Sequence, residues 1–170
     1  MEAKKISDSE TVMTELVQPT DTNYLNNLMG GKLMHYMDIA AAICAGKHAE
    51  QPVVTASVDY LSFRLPIPLG DVITIKAVVT RAFSTSLEIY VEVFAANVKG
   101  GNNRRCNDAY FTFVALDETT RKPVPVAPVL PLTGEEINRY EGAARRREMR
   151  LVLSGRMKPE DAKEIKSLFS

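Results

Sequence analysis

The sequence predicts an α+β fold: a curved antiparallel sheet wrapped around one long central helix, with a helical tail after it. Three features carry that expectation. From Gly30, apolar residues recur at helical spacing, and Leu33, Met34, Met37, Ala40, Ala41 and Cys44 fall in one stripe, roughly 120° wide at about 100° per residue. Four segments after the helix read as strands joined by short connections, the arrangement of antiparallel pairing. One helix and one sheet, each with a single apolar face, bury those faces against each other.

Residues 10–18 read as a first short strand and 19–29 as a polar loop holding Asn23, Asn26 and Asn27. The helix follows. Its centre, 39–45, carries no charge, so burial on more than one side is expected. A strand over 53–63 is closed by Pro66 and Pro68. Residues 71–81 alternate, and 86–96 put Leu87, Ile89, Val91, Val93 and Ala95 on one face against Glu88, Tyr90, Glu92 and Phe94. A polar loop over 97–107 leads to a last strand over 108–116. Prolines 123, 125, 128 and 131 mark an extended connector. They place the boundary between the sheet-and-helix domain, 1–130, and a helical extension, 131–170. In the extension Thr133 and Glu136 have capping-box spacing, and Pro159 with Glu160 and Asp161 suits the first turn of a further helix.

Composition excludes several classes. The 170 residues are 45% hydrophobic and 25% charged, which rules out disorder and a collagen-like repeat. Lysine and arginine total 21, aspartate and glutamate 21, so the basic excess of a nucleic-acid binder is missing. The longest apolar run, 39–45, is far short of the ~20 residues of a membrane span. The first ten residues hold no signal-peptide core. Cys44 and Cys106 match no metal spacing. A cytoplasmic, reduced protein without metal or cofactor is expected, with no nucleic-acid or membrane partner. Charge is uneven along the chain. Residues 143–170 hold eight basic and four acidic side chains, which read as a solvated face or as a phosphate-contacting tail.

Most familiar catalytic signatures are missing: there is no GxSxG, HExxH, CxxC or GxGxxG, and Gly31-Lys32 runs into Leu33, so no phosphate loop forms. His35 and His48 have no nucleophile beside them in sequence and read as surface or structural. Asp38 breaks the local rule. A carboxylate in mid-helix, between Met37 and Ile39, costs free energy unless it is paired, exposed or used. It lies about 100° from the centre of the apolar stripe, beside small Gly31, Ala42 and Ala45. That is the geometry of a ligand groove, or of a salt bridge to Arg or Lys. Gly30-Gly31 opens the same helix. It is a plain glycine turn, or a place where a polarised carbonyl meets free N–H groups at the positive end of the helix dipole. Gly31 and Asp38 stand about 10 Å apart along the axis, so one thioester meets both only if it spans part of that distance or a partner residue completes the site.

The stretches PTDTNYLNNLMGGKLMHYMDIAAAICAGKHA, VVTASVDYLSFRLPIPLGD, STSLEIYVEVFA and AYFTFVALD, in this order, resemble the hotdog-fold acyl-CoA thioesterases of the bacterial and cytosolic hydrolase branch. The likeness runs from about residue 10 to 127 and rests on GG-x-x-M-x-x-M-D, TASVD-x-x-x-F, P-x-x-x-GD and TS-x-E taken together. It implies hydrolysis of fatty acyl-CoA to a free fatty acid and CoA. It assigns the catalytic carboxylate, as general base or nucleophile, to Asp38 and the oxyanion donor to the Gly31 N–H beside Gly30. It puts Asn23 in a site shared across a dimer, and CoA contacts at Thr85 and Ser86, with Arg104 or Arg105 as phosphate partners. It also implies homodimers, often three in a hexamer, with acyl-CoA as the partner molecule. The chain departs from the pattern at Asn26, commonly Gly, and at Met29, commonly His or an aromatic, so Asn26 and Asn27 compete with Asn23. The competing functions are a non-catalytic acyl-CoA-binding regulatory module, and another hotdog acyl-CoA enzyme such as a hydratase using His35.

Overall fold

In the computed structural model, which describes residues 1–169, β1 (Lys4–Lys5) and a 3-10 turn lead into β2 (Thr11–Leu16). A loop then enters α1 (Gly30–Ala49), followed by β3 (Val53–Phe63), β4 (Val72–Ala82), β5 (Ser86–Ala96), β6 (Arg104–Ala115) and β7 (Val129–Leu130). The last elements are α2 (Gly134–Leu153) and the single-turn α3 (Lys163–Lys166). The chain divides into two compact units, Met1–Leu130 and the residues from Pro131 on. Ser170, which ends the expected extension, lies outside the described residues.

The five long strands form one antiparallel sheet in the order β2-β4-β5-β6-β3. Their alternation sends Ile73, Ile75, Ala77, Val79, Leu87, Ile89, Val91, Val93, Phe111 and Phe113 to the face under α1, where all are nearly or fully buried. The helix answers with Leu33, Met37, Ala40, Ala41, Cys44 and Ala45. Burial pushes the Cys44 thiol up to about 12, which leaves it a small hydrophobe rather than a nucleophile. The helix runs past the apolar stripe to Ala49 and stops where Glu50 turns left-handed, φ 52°. Burial of its centre is one-sided in this chain: Ile43 is 43% exposed.

Two expectations about the strands change. Strands 53–63 and 71–81 are consecutive but not paired, since β3 lies at the far edge beside β6. The segment between them crosses the start of α1, held by Leu28 N–H donating to the Ile67 carbonyl and by Leu69 N–H donating to that of Asn26. The last strand begins at Arg104 rather than 108, because ion pairs to Asp71 and to Glu92 and Asp108 accommodate Arg104 and Arg105 within the ladder. The proline connector stays with the first unit: Val126 N–H bonds Ser84, and β7 pairs in parallel with β1.

In the second unit Thr133 caps α2 as the spacing predicts. Glu136 N–H donates to Thr133 Oγ1 (3.2 Å), while the Glu136 carboxylate accepts from the N–H groups of Leu132 and Thr133 and is thereby held below its ordinary value. Pro159–Asp161, expected as the first turn of a further helix, forms a separate 3-10 turn ahead of the single-turn α3.

Candidate active site

Asp38 stands on the third turn of α1, half-buried, and its Oδ1 accepts a hydrogen bond from Thr55 Oγ1 at 2.8 Å. No salt bridge reaches it among the described residues, so the salt-bridge alternative for this acid is not realised. One neutral donor fixes the carboxylate and leaves its remaining lone pairs open to take a proton. Thr55 belongs to the edge strand β3, where the register with β6 shifts between Thr55 and Ser57. Such a bulge turns side chains off the regular alternation. Strand periodicity carries no mark of Thr55, and its bond to Asp38 spans 17 residues.

The glycine pair opens α1. Met29, the N-cap, offers no side-chain hydrogen bond, and the N–H groups of Gly30, Gly31 and Lys32 find no acceptor among the described residues. They form an electropositive end suited to a developing oxyanion. The two glycines differ. A Cβ on Gly30 would stand 3.1 Å from the Phe63 ring, whereas one on Gly31 would meet nothing within 4 Å. Gly31 faces a shallow surface depression with Met29, Lys32 and His35.

Asn23 sits in the loop tied to this end of the helix. Its Oδ1 accepts from Leu25 N–H (3.0 Å) and Asn27 N–H (3.2 Å), which fixes the amide and points its Nδ2 donor elsewhere. Asn26 is left-handed, φ 58°, with its N–H bonded to the Asn23 carbonyl. Asn26 and the backbone of Asn27 thus serve the turn, while the side chains of Asn23 and Asn27 line a pocket beside Leu33 and Phe63. Buried Asp21 anchors the loop through Lys32 (3.3 Å) and the Tyr36 hydroxyl (3.4 Å).

The candidates fall into two groups. Thr55 pairs with Phe113, which pairs with Leu87, so Asp38, Thr55, Thr85 and Ser86 share one end of the sheet. Phe63 pairs with Asn107, so Asn23, Gly30 and Gly31 share the other. Thr55 and Phe63 are separated by roughly 25 Å of strand. Arg104 and Arg105 stand at the same end of β6 as Asn107, but both are engaged: Arg104 is held by Asp71 at 2.6 Å, and Arg105 by Tyr90, Glu92 and Asp108. His48 is buried with Nε2 against the Ala127 carbonyl (2.8 Å), and His35 is exposed. Among the described residues no three His, Cys, Asp or Glu cluster to hold a metal, and no helix is long and apolar enough to cross a membrane.

Known proteins are similar to this chain in sequence and fold. The family described as the thioesterase superfamily matches residues 25–101. The Bacillus subtilis (strain 168) protein named uncharacterized acyl-CoA thioester hydrolase YkhA is 39% identical over 145 residues, 85% of this chain and 84% of its own. The solved structure of an apo hexameric acyl-CoA thioesterase is 39% identical with a TM-score of 0.87, covering 91% of this chain and 98% of that one. The acyl-CoA hydrolase of Staphylococcus aureus, solved with butyryl-CoA, CoA and CoA disulfide, is 35% identical with a TM-score of 0.84, over 99% of both chains. That enzyme has also been solved with alanine in place of an Asp, a Thr and an Asn. The chain belongs to the thioesterase superfamily, among its hotdog-fold acyl-CoA hydrolases.

Proposed function

We propose that Asp38 is the catalytic carboxylate with which this acyl-CoA hydrolase splits fatty acyl-CoA into free acid and CoA, in a site completed by a second copy of the chain. The observation that carries the reading is the state of Asp38: an acid in mid-helix, steadied by one hydroxyl and opposed by no cation among the described residues. The Staphylococcus aureus variants support it. The Asn, Asp and Thr replaced there follow one another at intervals of 15 and 17 residues, as Asn23, Asp38 and Thr55 do here.

The separation of the two groups supports a shared site. A thioester is a few ångströms across and cannot reach both Gly31 and Asp38, about 10 Å apart along α1. A two-fold copy aligned antiparallel along the β3 edge would set one end against the other, and neighbouring structures are described as hexameric. In the proposed reaction the Gly31 N–H and Asn23 Nδ2 of one copy hold the thioester carbonyl. Asp38 of the other copy, steadied by Thr55, removes a proton from the attacking water or attacks the carbonyl itself. The tetrahedral oxyanion then collapses and the carbon–sulfur bond breaks; in the water route the CoA thiolate takes the proton that Asp38 removed, and after direct attack water hydrolyses the acyl–Asp38 anhydride, which frees the acid, restores Asp38 and supplies the thiolate's proton. Each oxyanion donor contributes on the order of 3 kcal/mol. In this reading Thr85 and Ser86, at the Asp38 end of the sheet, contact the CoA arm, whereas Arg104 and Arg105 would first have to leave their acids.

The test is release of free thiol from acyl-CoA by mixed oligomers. Asn23→Ala and Asp38→Asn, each inactive alone, should regain activity when unfolded and refolded together. Mixing that restores nothing would place both residues in one chain's site. Binding of acyl-CoA by the wild type without thiol release would make the protein a sensor.

A further inference from the structure

The wall of the pocket beneath Asn23 includes Asn107, whose side-chain oxygen has no partner among the described residues. The cavity encloses about 240 Å³ between the Asn23 loop, the start of α1 and the ends of β3 and β6. Its walls are apolar, Leu28, Leu33, Phe63 and Ile67, apart from a few polar side chains that include Asn23 and Asn107. Asn107 is the misfit of its strand. It occupies the inward face of β6, in line with Ala109, Phe111, Phe113 and Ala115, opposite Val93, and is 1% exposed. Its Nδ2 donates to the Ser62 carbonyl at 2.5 Å. A carbonyl can only accept, so the amide cannot be the other way round and Oδ1 must face away. No donor of the described residues reaches that Oδ1, and less than 1 Å² of it is exposed. A buried acceptor left unpaired costs free energy, and such a group in a native structure asks for a partner.

We infer that this pocket is a subsite that reads a hydrogen-bond donor on the bound thioester, with Asn107 Oδ1 as the acceptor. The inference rests on the thioester reading above. With the carbonyl held at Asn23 Nδ2, a donor a few bonds away enters the pocket. Two parts of an acyl-CoA carry one: the amide N–H nearest the sulfur in the CoA arm, and a hydroxyl on the acyl chain. The donor gains access when Phe63 gives way. That side chain is 55% exposed, and its ring rests on the bare Cα of Gly30.

The experiment compares ligand pairs on the wild type and on Asn107→Leu. One pair is the butyryl thioester of N-acetylcysteamine and its analogue with the amide N–H replaced by methylene. The other is 3-hydroxybutyryl-CoA and butyryl-CoA. The wild type should favour the donor-bearing member of at least one pair by about tenfold in kcat/KM, and Asn107→Leu should treat both members alike. Preference for the amide assigns the CoA arm; preference for the hydroxyl assigns the acyl chain. Equal rates within both pairs on the wild type overturn the inference, however the variant folds, and so does a preference that survives in Asn107→Leu. The same pairs are measured as non-hydrolysable thioethers, by competition binding. Donor preference in binding with no thioester turnover would sink the Asp38 reading and leave the subsite standing.

Discussion

Between Gly30 and Asp38, α1 begins with two glycines, leaves its first N–H groups open, and holds a carboxylate with a single hydroxyl. From Ala40 to His48 the side of the same helix that faces the sheet is packed tight. Ala40, Ala41, Cys44 and Ala45 have no exposure, and His48 meets a backbone carbonyl. The difference teaches where this fold puts stability and where it leaves room. Small residues in the second half let the helix settle closely on β4 and β5. Small residues in the first half keep its surface open to a ligand. A glycine or alanine in α1 therefore means opposite things at its two ends.

The largest effect expected comes from Asp38→Asn. Losing a positioned base or nucleophile should cut turnover by about two orders of magnitude or more. The amide oxygen still accepts from Thr55, so the unfolding midpoint should stay in place. Thiol-release kinetics and thermal unfolding on one preparation check both halves of the statement. A variant that unfolds early would show that Asp38 belongs to the packed half after all.

Ala41→Leu is the converse. Forcing methylenes into a fully buried site should cost about 1–3 kcal/mol, read by denaturant unfolding, while folded enzyme keeps its kcat. A lowered kcat at unchanged stability would erase the boundary between the two halves.

His48 gives the packed end a pH signature. Burial is the main cause that pushes its ring below the ordinary value; the Ala127 carbonyl opposes this, and Lys4 reinforces it. The folded state therefore prefers the neutral ring, while an unfolded His takes a proton near 6.5. Stability from this group is present above about pH 6.5 and lost as pH falls below it. Unfolding midpoints at pH 7.5 and 5.5 should diverge less in His48→Gln, which can still donate to Ala127. An unchanged difference would assign the slope to other groups, with Asp8 and Glu50 nearby.

Much of this was legible in the residues. Alternation marked the strands, the apolar spacing marked α1, and a lone acid among apolar neighbours marked Asp38. Thr55 was not, because its role depends on a strand bulge and on a contact between distant segments. The place of β3 was hidden for a related reason: no local signal says that the connector after Phe63 crosses the helix start and carries the next strand to the opposite side of the sheet. Nor could spacing reveal that Arg104 and Arg105, read as loop cations for phosphate, lie in a strand against Asp71, Glu92 and Asp108. Partners chosen across the sheet are tertiary facts, and one-dimensional patterns do not carry them.

The smallest expected effect tests the open half most directly. Gly31 has ordinary helical φ and its added Cβ would touch nothing within 4 Å, so the protein's own packing gives no reason for glycine there. Gly31→Ala should raise stability by about 0.5–1 kcal/mol, the usual gain of alanine over glycine in a helix. Its N–H remains, but the new methyl stands where a thioester would lie against the backbone, so kcat/KM should fall as stability rises. A stabler enzyme with unchanged kcat/KM would mean that nothing approaches the backbone at Gly31, and the oxyanion donor would then have to be sought at Gly30 or Lys32.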